Sequence, residues 1–418
     1  MVRKILLVLF ALINGFTSHG QVVNWRGENR DGHFNEENLL KVWPEEGPEL
    51  ILTVEGIGKG WSSAIVANNT IFITGKKDSM DYLSAIATNG DIKWQTPYGL
   101  SWDKSYPQTR GSATVDGNRV YVISGRGVLT CLNVDSGREQ WSIDVDGEFE
   151  ARLSPFGTSE TPLIVDDKVI CTPSGEKASV VAFDKMNGQL IWQSESVEGG
   201  KVFSSPVIYS YKNFRYILAA TTSHLIALVP ETGEIAWSYR HYQPGRDRGQ
   251  PGDGTCLVNN PIFKDDEIYI SKGYNYPSMM IKMDSTGRSV SEKWINQTLD
   301  NDHGGVVRID DHIYGANYNK PQMGKWVCLE WNSGEVTYLQ ERFNKGSIIS
   351  ADGMLYIYEE RKGNIALVKP DPEKFDLISS FKIKKGAGPH WAHLSIFRGI
   401  MYVRRGDVLM CYLIRESD

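Results

Sequence analysis

Short runs in which apolar and polar residues alternate recur along most of the chain. They are rich in Val, Ile, Tyr and Phe and are bounded by Gly, Asn and Asp, which is the pattern of β-strands. The runs come in pairs, of which five are TIFITG with YLSAIA, RVYVIS with VLTCLNV, KVICTP with SVVAFD, YILAAT with LIALVP, and EIYISK with MMIKMD. The pattern predicts an all-β protein.

A glycine turn followed by a tryptophan comes after each pair of strands. Four such segments, TNGDIKW, DSGREQW, MNGQLIW and ETGEIAW, end at Trp94, Trp141, Trp192 and Trp237. The intervals between these tryptophans are 47, 51 and 45 residues. STGRSVSEKW has three extra residues and ends at Trp294, and NSGEVTY has a tyrosine, Tyr338, in the same place. Self-similarity at this period indicates a repeat architecture.

A further short strand precedes each pair and joins it through a tight turn. The distance from the start of that strand to the start of the next is seven residues in four repeats: Ala64 to Ile71, Ala113 to Val120, Pro162 to Val169 and Pro261 to Ile268. Each unit of about fifty residues therefore predicts four antiparallel strands, and radial repetition of such units is a β-propeller.

The repeats add up to eight blades. Five end at the tryptophans, a sixth ends near Tyr338, and a seventh runs from Gly346 to ISSFKI. The eighth begins at His390 and reaches Asp418 without a fourth strand. We expect ELILTV, Glu49–Val54, to supply that strand, because pairing the two ends of the chain in one blade removes open sheet edges. The prediction is a single eight-bladed propeller closed by its N-terminal strand.

Composition and charge narrow the classes of protein that remain. The 418 residues include 41 Gly, 12 Trp, 19 Tyr and 14 Phe, and 23% are charged. This composition excludes a disordered chain, a collagen and a long coiled coil. The net charge of -6 offers no basic surface for a phosphate backbone, so we expect no nucleic-acid partner.

The N-terminal residues predict export from the cytoplasm. Arg3 and Lys4 precede an apolar run, residues 5–13, and small residues follow, which is typical of a cleaved signal peptide over residues 1–20. Residues 21–47 are predicted to form a clamp packed on the propeller, which would occupy residues 48–418. No cysteine follows the cleavage site and no later stretch is apolar enough to span a bilayer. We expect a secreted or periplasmic protein with no lipid anchor and no transmembrane segment.

Five cysteines leave one without a partner. Cys131, Cys328 and Cys411 occupy the same position in strand-like runs, where a small buried thiol fits, and we interpret them as inert core residues. Whether Cys171 and Cys256 form a disulfide stays open, because sequence alone does not pair cysteines.

The repeat resembles that of the pyrroloquinoline-quinone (PQQ)-type propellers. The similarity rests on glycine turns such as DSGREQW and ETGEIAW after runs such as HLIALVP and SVVAFD, and it covers Glu49 to Ile414. The opening WRGENRDGHF is also similar to that of many secreted bacterial members. The resemblance implies an eight-bladed fold shared by quinoprotein alcohol dehydrogenases and by the propeller lipoprotein of the outer-membrane barrel-assembly machine. Fold alone does not define the chemistry.

The long loops between blades predict the position of a site, because long loops on a rigid scaffold usually carry function. The three residues that lead into each innermost strand should surround the axis at that end. From these triplets we nominate seven ligand-binding residues: Trp61, Arg110, Glu160, Asn259, Lys345, Trp391 and His393. The cations would bind carboxylates and the indoles would stack on a planar ligand such as a quinone. His303, within DNDHGG, is the candidate base or metal ligand.

Two classes of function follow. The leading hypothesis is a binding or assembly module that holds a protein or small ligand on the long-loop face, without an assignable reaction. The alternative is a PQQ-dependent alcohol or sugar oxidoreductase, in which Arg110 and Lys345 hold the quinone and Glu160 and Asn259 resemble two ligands of the family's calcium ion. The chain has no adjacent cysteine pair, no CxxCH and no DxDxDG loop, which favours the first. A water-filled channel is the simplest interpretation of the polar ring.

A third hypothesis is an aromatic surface for a glycan or peptide. Its five members are Tyr98, Trp102, Tyr106, Tyr274 and Tyr276.

Overall fold

Eight sheets, each built of four antiparallel strands, form the body of the protein, and one of them gains a fifth, parallel strand from the N-terminal segment. The computed structural model describes residues 22–241 and 257–416, so the predicted signal peptide and Cys256 lie outside the described residues. Two strands precede the first blade: β1 (His33–Phe34) and β2 (Glu49–Val54). Blades one to four contain β3 (Ile65–Ala67), β4 (Thr70–Lys77), β5 (Met80–Ala87), β6 (Ile92–Leu100), β7 (Thr114–Asp116), β8 (Arg119–Ile123), β9 (Val128–Asn133), β10 (Glu139–Asp144), the short helix α1 (Val145–Glu148), β11 (Leu163–Val165), β12 (Lys168–Cys171), β13 (Val181–Asp184), β14 (Leu190–Gln193), β15 (Val207–Tyr211), β16 (Phe214–Ala220), β17 (His224–Leu228) and β18 (Ile235–Arg240).

The remaining strands complete the ring. Blades five to eight contain β19 (Ile262–Lys264), β20 (Glu267–Ile270), β21 (Ser278–Met283), β22 (Val290–Asn296), β23 (Val306–Ile309), β24 (His312–Ala316), β25 (Trp326–Glu330), β26 (Val336–Gln340), β27 (Gly346–Ala351), β28 (Met354–Glu359), β29 (Asn364–Lys369), β30 (Asp376–Lys382), β31 (Ser395–Phe397), β32 (Ile400–Arg405) and β33 (Val408–Leu413). The predicted eight-bladed propeller is confirmed. In the described part of the chain, no helix is both long and apolar enough to cross a bilayer.

The N-terminal strand closes the last blade, as predicted. Strand β2 pairs antiparallel with β33, and the fourth sheet position of blade eight is thereby filled. Leu50 lies opposite Tyr412 and Val54 opposite Leu409, with an irregularity between Leu50 and Leu52. The sheet order β2-β33-β32-β31 thus places a strand from before the first blade beside the last three strands of the propeller.

Within residues 22–241 and 257–416, the hydrophobic core consists of eight clusters, each shared by two adjacent blades. The cluster between blades one and two, for example, combines Phe72 and Leu83 with Val120 and Leu132. The cluster between blades eight and one joins Leu409 to residues of β3 and β4. The alternation of strand residues provides both faces of every sheet with apolar side chains, so each blade is covered by its two neighbours.

The glycine and tryptophan of the repeat contact each other between blades. The indole of Trp94 lies on Gly137 of blade two, and its Nε1 donates to the carbonyl of Val134 at 3.1 Å. Trp141, Trp192 and Trp294 make the same contact with the glycine turn of the blade that follows each of them. The glycines adopt positive φ, 67° at Gly137, which a β-carbon disfavours. The repeat is therefore an inter-blade contact.

The segment before β2 lies across the axial channel. Arg30 is buried and donates to the carbonyls of Thr161 at 2.9 Å and of Pro206 at 3.2 Å. Arg26, also buried, donates to the carbonyls of Val306 and Ile348, while β1 pairs in parallel with β27. Two arginines thus tie this segment to inner strands on opposite sides of the ring.

The cysteines of the strands are buried. Cys131, Cys328 and Cys411 lie in the inter-blade clusters, as predicted for core thiols, and Cys171 is also buried. Burial raises the pKa of all four thiols. Raised pKa values keep them protonated and unreactive near neutral pH.

Candidate functional site

A cavity of about 370 Å³ opens on the axis at the end of the propeller where the long loops between blades lie. We call this end the mouth face. The inner strand of every blade begins there, and the turns that join the second strand of each blade to the third lie at the same end. The cavity therefore collects side chains from loops and turns of many blades.

Of the three residues that lead into each inner strand, the first, second and third differ in whether they reach the cavity. The first residue of all eight lines the cavity: Trp61, Arg110, Ser159, Phe203, Val258, His303, Lys345 and Trp391. Of the third residues, Ser112, Thr161 and His393 line it. The second residues are not among the lining side chains, because alternation along an extended chain turns them into the blade.

Four charged side chains on one side of the cavity form a quartet. Lys345 Nζ lies 2.6 Å from Asp302 Oδ2 and 2.9 Å from Glu360 Oε1. His303 Nδ1 contacts Asp302, and His303 Nε2 lies 3.0 Å from Glu360 Oε2. Two cations thus alternate with two carboxylates. Only His303 has substantial exposure, at 28% of its side chain.

The quartet holds its members in their charged forms. Burial opposes protonation of His303, but the charge of Asp302 outweighs it and raises the pKa of the imidazole to about 9. Burial likewise opposes ionisation of Glu360, yet contact with His303 lowers the pKa of this carboxyl below its usual value. The pKa of Lys345 is raised against the effect of burial by Asp302 and Glu360. The four charges cancel within the quartet.

Aromatic rings form the other side of the cavity. Trp391 has its ring centroid 4.8 Å from that of Trp61 and 5.3 Å from that of Tyr106. Phe156 continues the row at 6.1 Å from Tyr106, and Phe203 lies 5.8 Å further on. These five rings, which we call the aromatic wall, meet the quartet where Trp391 packs against His303 at 5.3 Å.

Arg110 supports the aromatic wall from behind. Its guanidinium lies 5.1 Å from the centre of the Trp61 ring and donates to the carbonyls of Ser105, Tyr106 and Gln108. These bonds hold the loop that carries Tyr106, whose φ of 47° lies in the left-handed region. The guanidinium therefore positions a loop as well as lining the cavity.

The floor of the cavity comes from the segment before β2. Trp25 lines the cavity and lies edge-on to His393 at 5.2 Å. Arg26 donates to Nδ1 of His393 at 2.7 Å, so Nε2 of the neutral ring donates to the carbonyl of His303 at 2.7 Å. Burial, together with the charge of Arg26, keeps the pKa of His393 well below its usual value.

Two of the nominated residues, Glu160 and Asn259, do not line the cavity. Glu160 is buried in blade three and accepts hydrogen bonds from the backbone and hydroxyl of Thr172. Asn259 donates to the carbonyls of Asn301 and Asp302 and accepts from the amide of Gly305 at 2.9 Å. Asn259 therefore positions the loop that carries His303.

The arrangement does not fit the calcium ion that the family resemblance implied. Both side chains nominated as ligands are engaged inside the blades, and Nζ of Lys345 sits between the carboxylates of Asp302 and Glu360, where a cation would have to lie. Across residues 22–241 and 257–416, no group of three or more His, Cys, Asp and Glu is placed to hold a metal. No ion pair joins Arg110 to Glu160 within these ranges.

Some cavity residues were not predicted from the sequence. Glu360, Tyr318 and Gln322 come from turns between second and third strands, whereas the prediction considered only the residues before inner strands. The turn that contains YNKPQ is long and polar for a hairpin, which is the signal that would have indicated Tyr318 and Gln322. The turn that carries Glu360 has only four residues and gives no such signal.

The aromatic surface proposed as a third hypothesis is wrong as a surface. Tyr98, Trp102 and Tyr276 are buried, because they pack within and between blades. Tyr106 and Tyr274 line the cavity.

The sequence matches a known family over most of its length. The family model PQQ_2, described as outer membrane protein assembly factor BamB, matches residues 79–340. The factor of that name from Yersinia pestis is 22% identical over 284 residues, covering 66% of this chain and 67% of the relative. That from Alkalilimnicola ehrlichii is 22% identical over 203 residues, covering 48% of each chain. The chain thus spans about half to two thirds of the length of these relatives.

Solved structures show the same fold at low identity. BamB from Moraxella catarrhalis superimposes with a TM-score of 0.59 at 15% identity, covering 88% of this chain and 99% of that one. A europium-containing methanol dehydrogenase gives a TM-score of 0.61 at 12% identity, covering 90% and 88%. One fold therefore serves an assembly factor and an enzyme, and it does not decide between them. Because the family model covers more than half of the 418 residues, this chain belongs to the PQQ_2 family of propellers, described as outer membrane protein assembly factor BamB.

Proposed function

We propose that the protein is a secreted or periplasmic binding module that holds a protein partner on its mouth face. The kinship with outer membrane protein assembly factors supports this function, and we propose that the partner belongs to the assembly of the cell envelope. No reaction is required of such a module.

The observation that carries the proposal is a set of exposed apolar side chains on neighbouring loops. Leu100, Tyr106 and Leu153 are exposed to 54%, 55% and 51%, and all three lie at the mouth end of blades one to three. Exposed apolar side chains that share one end of a domain support an interaction site at that end. Charged residues such as Asp103 and Arg126, which pair at 2.5 Å, border them as in the polar rim of an interface.

Site-specific photo-crosslinking tests this proposal. A photo-reactive phenylalanine analogue is placed at Leu100 or Leu153 in the full chain, which is expressed and irradiated in its native envelope. Met186 is the matched control, because it is 52% exposed but lies in the turn between β13 and β14, at the opposite end of the propeller. We expect one discrete protein adduct from both mouth positions and none from position 186. Adducts of equal yield from all three positions would overturn the proposal.

The oxidoreductase alternative has one feature in its favour, the pair of indoles at 4.8 Å with Arg110 beside them. Two indoles and a cation suit a planar anionic quinone. The quartet weighs against it, because Lys345 and His303 are each neutralised by carboxylates and leave little positive charge for a ligand with several carboxylates.

Addition of the quinone and calcium to the purified protein decides this alternative. A ligand that binds the native state raises the melting temperature, by a free energy that grows with its concentration. We expect no change in absorption, no reduction of dye with simple alcohols and no thermal shift. A rise in melting temperature that is absent in Lys345→Met would support the oxidoreductase alternative.

A further inference from the structure

The mouth face carries a band of positive charge along one side. The exposed cations of this band lie on the segments that connect strands at the mouth end of blades seven, eight and one. We call the band the basic arc, and its members are Lys59, Lys104, Arg361, Lys362, Lys384 and Lys385. All six are exposed, on a chain whose net charge is -6. The arc is therefore a local excess of positive charge and does not reflect the average composition.

The cations of the basic arc lack carboxylate partners. In the part of the chain that the structure describes, none of the six forms an ion pair. The same segments carry three exposed carboxylates: Glu55, Asp78 and Asp103. Of these, Asp103 is already paired with Arg126 of blade two at 2.5 Å. The half-buried Arg405 and Asp407, which flank one turn, offset each other in charge, so positive charge exceeds negative charge along the arc.

The mouth end of blades three to six has a different arrangement of charge. Four ion pairs lie there, with N–O distances of 2.5 to 3.0 Å: Arg152–Glu176, Lys177–Glu150, Arg240–Glu198 and Lys325–Glu341. Cations on that side of the face are therefore matched by carboxylates, whereas those of the basic arc are not. Unmatched like charges repel one another and produce a positive potential that attracts an anionic partner.

The neighbouring charges favour a protein over a lipid surface as this anionic partner. The arc includes Lys104, four residues after the exposed Leu100 of the proposed protein site. The segment that carries Leu153 on the same face also carries the exposed carboxylates of Glu148 and Glu150. An anionic bilayer that covered the face would meet these carboxylates and be repelled, whereas a protein surface can match both signs of charge.

We propose that the protein partner of the mouth face presents an acidic segment to the basic arc. This inference rests on the proposed binding function and adds to it the charge of the partner. Five of the six cations are lysines, which are flexible and strongly hydrated. Such charges at the rim of an interface raise the rate of encounter and exclude partners of like charge. The exposed apolar side chains then hold the complex, while the arc selects an acidic surface.

Photo-crosslinking from within the arc determines the charge of the partner. A photo-reactive phenylalanine analogue is placed at Ala387, which is exposed on the segment that carries Lys384 and Lys385. The full chain is irradiated in its native envelope, and mass spectrometry identifies the attached peptide. We expect the protein that is also cross-linked from Leu100, attached to position 387 through a peptide rich in Asp and Glu.

Neutral substitutions measure the electrostatic contribution. The arc variant combines Lys59→Gln, Lys362→Gln and Lys384→Gln, all at exposed positions where folding is unaffected. We expect the yield of the adduct from Leu100 to fall at least about fivefold, because loss of rim charges slows association. The control variant removes the same charge from exposed lysines at the opposite end of the propeller and leaves the yield unchanged: Lys212→Gln, Lys369→Gln and Lys374→Gln.

Any of four results would overturn the acidic partner: no adduct from position 387, a neutral or basic peptide, a lipid adduct, or an unchanged yield from Leu100 in the arc variant. If the adducts from Leu100 and Leu153 persist in those cases, the protein-binding function stands and only the inference about charge fails. An acidic peptide attached to position 387, without adducts from Leu100 and Leu153, would instead support the arc and overturn the apolar site.

Discussion

The indole of Trp141 lies on Gly188 of the next blade, and its Nε1 donates to the carbonyl of Lys185 at 3.3 Å. A β-carbon at position 188 would come within 2.9 Å of the ring, and the glycine also has a φ of 76°. The contact recurs between several blades and explains why the repeat couples a glycine to a tryptophan. Blade four departs from it, since Trp237 Nε1 has no hydrogen-bond partner among the described residues and the glycine turn of blade five packs on Phe214 instead.

Gly188→Ala is expected to lower the free energy of unfolding by about 2–4 kcal/mol, from overpacking against the indole and from positive-φ strain. Gly353→Ala is the control, because its φ is 70° and nothing lies within 4 Å of the added carbon. In this control, only the backbone strain of a positive φ lowers the free energy of unfolding, by about 1–2 kcal/mol. Apparent melting temperatures at one scan rate give the comparison. Equal losses in the two variants would contradict the packing argument.

Ring closure through β2 is expected to limit stability. Val54 is 5% exposed in the cluster that joins blades eight and one, whereas Ile51 on the same strand is 43% exposed. Val54→Asp buries a charge without a partner and should cost at least about 3 kcal/mol, while Ile51→Asp should cost less than about 1 kcal/mol. Denaturant unfolding measures both. Similar losses would show that the strand contributes little through its buried side.

We propose that residues 21–47 act as a clamp, which is supported by the bonds of Arg30 to the carbonyls of Thr161 and Pro206, just before two inner strands. Arg30→Leu removes these bonds and leaves buried carbonyls unpaired, so we expect a loss of about 3–5 kcal/mol. Arg138→Leu, at an exposed turn, should change stability by less than about 0.5 kcal/mol. Limited proteolysis should also cleave the N-terminal segment first in the Arg30 variant. An unchanged free energy of unfolding in Arg30→Leu would contradict the proposal that this segment is a clamp.

The quartet is expected to make stability depend on pH in the alkaline range. The pKa of His303 in the folded state is about 9, above its ordinary value of 6.5, so the native state binds this proton more tightly. The stabilisation is complete below pH 6.5 and is lost as the pH rises through 9. His303→Gln should therefore lose less stability between pH 6 and pH 9.5 than the parent chain does. His312→Gln, outside the cavity, is the control, and a parallel pH profile for both variants would contradict the argument.

The buried cysteines are expected to resist thiol reagents. In a Cys256→Ser variant, the native protein should show no reactive thiol, and unfolding should release four: Cys131, Cys171, Cys328 and Cys411. Burial and the raised pKa values are the cause. Absorbance after addition of an aromatic disulfide reagent counts the thiols. Any rapid reaction before unfolding would show that a blade opens locally.

The fold could be predicted from the sequence because the features that define each repeat lie close together along the chain. Strand alternation and the seven-residue spacing between the first two strands indicate each blade, and the unpaired run at Glu49–Val54 matches the blade that lacks a strand. The residues of the site could be predicted only in part from the sequence. The first residue of every triplet reaches the cavity, but Glu160 and Asn259 occupy second positions and face the blade interior. Glu360 lies 57 residues after His303 in the chain, so their contact depends on how adjacent blades are rotated about the axis.

Every hydrophobic cluster is shared by two blades, and this constrains how such a chain evolves. Loss of a single repeat would leave two apolar blade faces without a neighbour, and gain of one would make blades clash. In either case β2 would no longer be placed to pair with β33. New binding properties are therefore acquired most easily by exchange of the connecting segments above the ring, while the number of repeats stays constant.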